Sequence, residues 1–511
     1  MVSVARGAVI VSGGGAESEQ VDALLTGALP TDAPRAGEPR VHVPREWVAD
    51  SSLRLDAANN TLLGGAPLKF MRLSPAGFDL VERIVNGPSL GAGESVESLS
   101  RAELELMGRL VDNGMLHPLP GRDEPSAPSP GDVTVVIPVK GHRGRLVTLL
   151  DSLAHHSPDI AGVVVVDDGS TEPIDVEPGD FGPQNWPHGV TVIRRPVSGG
   201  PGVARNSGVE YVTTPVVMFL DSDCVVTEGW LWPLLGHLAD NAVSGVASRV
   251  IAAPWFHYNR RLARYDSSHS PLDLGPEPAR VLPLTRVAYV PTAALMLRVE
   301  TFREVGGFDL ELRLGEDVDL VWRLAETGAR LRYDPRSVVE HAVRPDLSSW
   351  MRQRFDYGTS AASLAARHDG NVAPVVMSRW SAVLWLAILS GHGWLAALLA
   401  AGTTAALPRK LKGCSARDAA RYVLGGHIGA GGQLARAGVR VWWPILLTAA
   451  LVSRRARVLL VGSVAWAVID KHPRSPVDAS LALLDDVSYG TGVWVGCWRR
   501  RSVLALLPRI D

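Results

Sequence analysis

The sequence predicts an α/β protein whose central region, about residues 133–345, is a mainly parallel sheet covered by helices on both faces. Continuous apolar, β-branched runs recur there: VTVVIPV (133–139), GVVVVDDGS (162–170), VTVIRRP (190–196) and PVVMFLDSD (215–223). Helical patterns separate them. Leu146, Leu149, Leu150 and Leu153 share one helix face, and a further helix opens near Gly202. Strands buried on both faces read as unbroken Val/Ile runs, and crossover helices join them when they run parallel. Such sheets bind ligands beyond the carboxyl ends of their strands, and here those ends carry Asp167, Asp168, Asp221 and Asp223.

Composition narrows the class. At about 150 residues per domain, 511 residues suggest roughly three domains. With 46% hydrophobic and 20% charged residues the chain buries a large core, which excludes wholesale disorder. Lys+Arg number 51 and Asp+Glu 53, so a globally basic nucleic-acid binder is excluded and no nucleic-acid partner is expected. Cys224, Cys414 and Cys497 are too few and too scattered for a disulfide framework or a cysteine zinc site. The N-terminal MVSVARGAVIVSGGG is a poor secretory signal.

Five regions follow along the chain. Residues 1–42, rich in Gly, Pro, Ala and acids, are expected to form a disordered leader. Residues 43–119 form a small domain. Within it LRLDAANNTLLGG (53–65) predicts two strands around an Asn-rich turn. Ser74-Pro75 starts one helix, and Ser100 with Glu103 in capping-box register starts another. Residues 120–132 are a linker: the stretch 117–132 holds five prolines, which neither a helix nor a central strand tolerates. The sheet domain is placed at 133–370. Residues 371–511 form a helical, membrane-associated region. Its run 380–407 has no charged residue and is flanked by Arg379, Arg409, Lys410 and Lys412. As one helix it would exceed the roughly 20 residues needed to span a bilayer. The runs 441–452 and 458–469 are shorter, leaving a helical hairpin, interfacial helices or a soluble lid open.

Five constellations carry chemistry. In FLDSDC (219–224), Asp221 and Asp223 leave a strand on the same side; they either share a Mg²⁺ or Mn²⁺ ion or line a solvated turn. In VVVVDDGS, Asp167 either accepts from a nucleobase N–H or simply serves a turn. SGGPGVARNSG (198–208) offers Gly200 and Arg205 to a phosphate, or is a flexible loop. It is neither a Walker loop nor the dinucleotide fingerprint. In Gly315-Glu316-Asp317 an acid serves either as a general base or as a partner of the helix dipole. His341, inside VVEHAV, is either a core residue or, near Asp223, the completion of a metal site.

In this order and spacing the motifs resemble glycosyltransferase family 2, with its GT-A nucleotide-diphospho-sugar transferase fold, over about residues 133–345. The resemblance implies an inverting, metal-dependent transferase that uses a UDP-sugar. It implies that Pro138 and Val139 begin the nucleotide pocket and that Asp167 binds the base. Gly200, Arg205, Asp221 and Ser222 lie along the nucleotide-sugar, with Asp221 toward the ribose. Asp223 and His341 hold the metal, Asp317 is the base, and Glu316 helps to hold the acceptor. No Gln-x-x-Arg-Trp run follows Asp317, which argues against a processive, pore-forming synthase.

Residues 53–116 resemble the winged-helix-like, peptide-binding domains of the PqqD type. LLGGAPLKFMRLSPAG (62–77), joined to a family 2 domain, resembles the mycofactocin-system glycosyltransferases. That resemblance implies a UDP-glucose donor, a β-1,4-linked product and a peptide-derived acceptor, pre-mycofactocin. It also implies contact with other proteins of that pathway and residence at the cytoplasmic face of the membrane. The alternatives are a membrane-associated family 2 enzyme acting on a glycolipid or cell-wall glycan, and a non-catalytic nucleotide-sugar-binding scaffold.

Overall fold

The computed structural model describes residues 46–86, 99–182, 186–253, 260–410 and 415–511. The predicted leader lies outside them. The described residues fall into two compact units. One comprises the described parts of Pro39–Ser51 and Arg83–Leu347, the other Ser52–Glu82 and Ser348–Asp511.

The N-terminal elements are β1 (Trp47–Ala49), β2 (Arg54–Asp56), β3 (Thr61–Gly64), β4 (Lys69–Arg72), α1 (Pro75–Asn86), α2 (Arg101–Asp112) and β5 (Leu116–Pro118). Strands β2, β3 and β4 form an antiparallel sheet, one strand more than predicted. Both caps form as expected. Ser74 Oγ accepts the Gly77 N–H at 3.1 Å, and Ser100 and Glu103 complete a capping box. The proline-rich stretch is more structured than its composition suggests. His117 and Pro118 pair with β1 in a two-stranded ladder, where an edge accommodates proline's missing N–H. Further on, Glu124 is buried and accepts the Gly121 N–H at 2.7 Å.

The sheet unit continues with β6 (Val133–Val139), α3 (Arg143–His156), β7 (Gly162–Asp168), β8 (Val190–Arg195), α4 (Pro201–Val209), β9 (Val216–Leu220), β10 (Cys224–Val226) and α5 (Leu231–His237). Then come β11 (Val243–Ala252), α6 (Arg260–His269), β12 (Ala279–Arg280), β13 (Ala294–Arg298), α7 (Val299–Glu304), α8 (Glu316–Glu326) and β14 (Arg330–His341). The order is β10-β14-β11-β13-β9-β6-β7-β8, with β12 on β14. Strands β8, β7, β6 and β9 are parallel, as expected. The rest corrects the mainly parallel reading. Strand β13 runs antiparallel to both β9 and β11, and β10 antiparallel to β14, so the sheet is mixed. Burial on both faces hides direction: ALMLR in β13 is as apolar as a parallel strand would be. Helix α4 lies close on β6, since a Cβ at Gly208 would come within 2.4 Å of Val136 Cγ1.

The other unit holds α9 (Leu347–Arg367), β15 (Val376–Met377), α10 (Arg379–Leu389), α11 (Gly393–Lys410), α12 (Ala416–Arg440), α13 (Trp443–Val452), α14 (Arg454–Asp470), α15 (Pro476–Arg500) and β16 (Arg509–Ile510). Although α9 precedes the predicted 370 boundary, it packs on α15. Small residues permit this: a Cβ on Gly358 would meet the Tyr489 carbonyl oxygen at 2.0 Å. The uninterrupted run 380–407 is two helices. The chain turns at Gly391, whose φ of +89° only glycine adopts readily. Among the described residues no single helix is long and apolar enough to cross a membrane. The pair α12 and α13 passes by length and composition but is bent by 86°.

Candidate active site

The site lies where β9 ends. Asp221, Ser222 and Asp223 form the turn between β9 and β10, and the Asp221 carbonyl accepts the Cys224 N–H at 3.0 Å. Strand β10 pairs with the end of β14 in a register that sets Cys224 opposite His341. The Ala342 N–H bonds the Asp223 carbonyl at 3.0 Å, and His341 Nε2 lies 3.2 Å from Asp223 Oδ1. Ligand atoms of Asp221, Asp223 and His341 thereby fall within 4.8 Å of one another. Two carboxylates and an imidazole are a donor set for a hard divalent cation. Burial works against the Asp223 charge. The neighbouring His341, Arg344 and Arg145 outweigh it and hold the carboxyl well below the usual range, ready to ligate. Burial likewise lowers the His341 pKa, but Asp223 and Asp221 raise it overall. Cys224 stays outside the donor set. Its thiol is buried, pushed up by burial and by both aspartates, and directed at the Ala293 carbonyl.

The acid pair stands at the start of α8, after Gly315. Glu316 is buried and Asp317 partly exposed. Arg205, from α4, is 2% exposed and joins this pair to the cation cluster. One guanidinium nitrogen lies 3.1 Å from Glu316 Oε1 and another bonds Asp221. Phe308 packs on the guanidinium, whose centre is 5.5 Å from the ring. A Cβ at Gly202 would press on Glu316 Cγ at 3.0 Å, so the glycine lets α4 approach. Burial, then the Asp317 charge, pushes the Glu316 pKa up to about 7 against the pull of Arg205. Burial raises Asp317 as well, aided by Asp221 and opposed by the Val318 N–H and Arg205.

The predicted nucleotide-pocket residues lie on the next two strands, Pro138 and Val139 on β6 beside β9 and Asp167 on β7 beyond it. Val139 and Asp167 sit side by side at the ends of β6 and β7, with Pro138 beside Val166. The Asp167 carboxylate is fully buried and accepts the Ser170 and Ile174 N–H groups at 2.9 and 3.2 Å, which shapes the following loop. Its neighbour Asp168 was noted only as a strand-end acid and does more. It accepts the Gly199 and Gly200 N–H groups at 3.0 and 2.9 Å, the Ser198 hydroxyl at 2.7 Å and Arg195 Nε at 3.0 Å. It clamps the glycine-rich loop that opens α4. The Asp-Asp pair was its only sequence signal. Arg145, on α3, was likewise missed; it lies 3.5 Å from Asp223.

A mixed sheet with a cation cluster at one strand end and an acid pair beside it defines a group-transfer enzyme. The family model for glycosyl transferase family 2 matches residues 134–303. A curated relative from Mycobacterium tuberculosis (strain ATCC 25618 / H37Rv), a pre-mycofactocin glycosyltransferase, is 39% identical over 482 residues, 90% of this chain and 97% of the relative. A putative polypeptide N-acetylgalactosaminyltransferase 13 of Drosophila melanogaster is 28% identical over 45% of this chain and 44% of its own. A solved mannosyltransferase from Pyrobaculum calidifontis, in complex with GDP-mannose and Mn²⁺, matches with TM-score 0.35 and 20% identity over 60% of this chain and 90% of that one. The chain belongs to glycosyltransferase family 2 and is closely related to the mycofactocin-pathway glycosyltransferases.

Proposed function

We propose that this enzyme transfers glucose from UDP-glucose to pre-mycofactocin, a peptide-derived acceptor, forming β-1,4 linkages with inversion. The observation that carries the reading is the 39% identity over 482 residues to a pre-mycofactocin glycosyltransferase, and the Arg205 bridge between Asp221 and Glu316 sets an acid pair beside the candidate cation site. Asp317 accepts the proton of the acceptor hydroxyl, being the more exposed acid, with its pKa raised by burial. Glu316, tied to Arg205, fixes the start of α8 and borders the acceptor. Asp223 and His341 would hold Mg²⁺ or Mn²⁺, and Asp221 borders the donor. A divalent ion there supplies charge compensation for the departing diphosphate. Asp167, Pro138 and Val139 border the base, and Gly200 and Ser222 the sugar-phosphate. With the leaving group neutralised in this way, no second carboxylate is required as an acid, unlike in glycoside hydrolases.

Residues 53–116 are read as the PqqD-like peptide-recognition domain. The edges of the β2-β3-β4 sheet support acceptor binding by strand addition. The helical region is read as lying on the cytoplasmic membrane face, on account of its exposed apolar residues. Leu451 is 76% and Val452 89% exposed. The same observation favours a second reading, a glycolipid acceptor. Incubating the purified chain with UDP-glucose, Mn²⁺ and either pre-mycofactocin or lipid extract separates the two. A hexose ladder on the peptide-derived compound supports the first reading; hexose found only on lipid replaces it with the second.

A further inference from the structure

In the helical unit a cavity of about 340 Å³ opens among α10, α11 and α12. Its walls are mostly apolar, with Leu398, Leu399, Leu407 and Val423 among the lining residues and Trp380 half exposed. The volume lies at the lower end of the ~300–1,000 Å³ typical of small-molecule sites. Buried His427 braces the cavity. Its Nδ1 lies 2.9 Å from Ser381 Oγ on α10 and its Nε2 3.1 Å from Thr403 Oγ1 on α11. One imidazole on α12 thus links three helices, and its polarity is spent within the wall. A space lined this way gains little from water and suits hydrocarbon.

Charge gathers at one end of the same three helices. Ser381, near the start of α10, and Thr403, in the second half of α11, both reach His427, so these parts of the two helices lie together, and α12 starts just beyond the end of α11 in the chain. That end carries exposed Arg379, Arg409, Arg417 and Arg421. Arg379 and Arg417 sit in the first turns of α10 and α12, and Arg421 follows, where helix dipoles disfavour cations and add to the positive field. The nearby carboxylates are engaged: Asp418 with Ser415 Oγ, and Asp511 with Arg509. Beside the cavity the helices expose further apolar residues, with Leu386 64%, Trp394 70%, Leu398 62% and Ile428 64% exposed.

An apolar cavity whose lining residues Ser378, Trp380 and Tyr422 are next in the chain to Arg379 and Arg421, on helices that also expose apolar side chains, suits one kind of occupant. We propose that this cavity binds the hydrocarbon chain of an anionic phospholipid, whose phosphate the arginines at that end engage. The proposal deepens the membrane-face reading of the helical region and rests on it.

The test uses the full-length protein with vesicles of phosphatidylcholine alone or mixed with phosphatidylglycerol. It measures flotation with the vesicles and, separately, lipid retained by the protein in native mass spectrometry. The wild type should float with the mixed vesicles and retain phosphatidylglycerol in preference to phosphatidylcholine. Gly402→Leu adds bulk at the wall of the cavity, where a Cβ meets nothing within 4 Å. It should abolish retention, keep flotation and leave the unfolding temperature unchanged. Arg417→Glu with Arg421→Glu should lower the preference for phosphatidylglycerol by at least about tenfold, given ~1 kcal/mol per cation near an anionic surface. Equal retention of the two lipids, retention unchanged by Gly402→Leu, or preferential retention of an added isoprenoid phosphate would each overturn the proposal. Flotation without retained lipid removes the cavity site and leaves the membrane reading standing. Retention without flotation keeps the site and removes that reading.

Discussion

The sheet unit and the helical unit use the same side chains to opposite ends. Every residue of β6, β7 and β9 is buried, whereas α13, apolar but for Thr448, buries only Ala450. Charge is used differently too. In the interior of the helical unit, buried Asp485 and Asp486 are paired with Arg354, Arg440 and Lys471. At the end of β9, Asp221, Glu316 and Asp317 surround the buried Arg205, while Asp223 faces His341, Arg145 and Arg344. A paired network holds helices together, while Asp221, Asp223 and His341 bring three ligand atoms within 4.8 Å of one another, a donor set for a divalent cation. The contrast separates structural from functional charge without recourse to motif.

Substitutions sharpen that contrast. The largest effect is expected from Asp317→Asn, which should cut transfer by about 10²–10⁴ with UDP-glucose affinity unchanged in calorimetry. Loss of affinity would make Asp317 a structural residue. Asp223→Ala should lower kcat by about 10²–10³ and abolish the response to added Mn²⁺. Undiminished Mn²⁺ activation would remove Asp223 from the cation site. On the structural side, Arg440→Met leaves the buried Asp486 carboxylate with Lys471 alone, 3.4 Å away, and should cost up to ~3 kcal/mol in thermal or urea unfolding, below the cost of a buried charge with no partner. A stability change near zero would show the network to be dispensable.

A subtler test concerns pH. Asp317 acts as a base only when deprotonated, and burial raises its pKa while that of Glu316 is pushed up to about 7. Activity should therefore be lost on acidification, at a pH above the usual aspartate range. Glu316→Gln removes a neighbouring negative charge and frees Arg205, both of which favour ionised Asp317. The acid limb of the kcat/KM profile should move to lower pH; movement the other way would reverse the roles of the two acids. The smallest effect on folding is expected from Leu451→Ser with Val452→Ser. Stability should change by no more than about 0.5 kcal/mol, as for exposed sites generally, while vesicle flotation weakens. A large loss of stability would mean that these side chains are packed.

Some of the site was legible in the chain because local rules produce it. Asp221 and Asp223 interrupt an apolar run at a strand end, and Glu316-Asp317 follows a glycine and opens a helix. His341 carried no such signal: only the antiparallel register of β10 on β14 brings it to Asp223. Arg205 was legible as a cation in a glycine-rich segment, but not as the link between two carboxylates. Asp168 was legible as a strand-end acid, but not as the clamp of the glycine-rich loop, because the amides it binds lie far along the chain. The break at Gly391 was hidden by the absence of charge around it.

By itself the sequence determined where most strands and helices lie, how α1 and α2 are capped, which acids stand at strand ends, and the family. Periodicity, capping and turn chemistry act over a few residues, so they can be read in order along the chain. The tertiary structure alone decided the direction of β13, the meeting of His341 with Asp223, the Arg205 bridge, and which apolar helices remain uncovered. Those depend on ladder register and on the surface that each face meets, and an apolar residue reads the same whether it is covered or exposed.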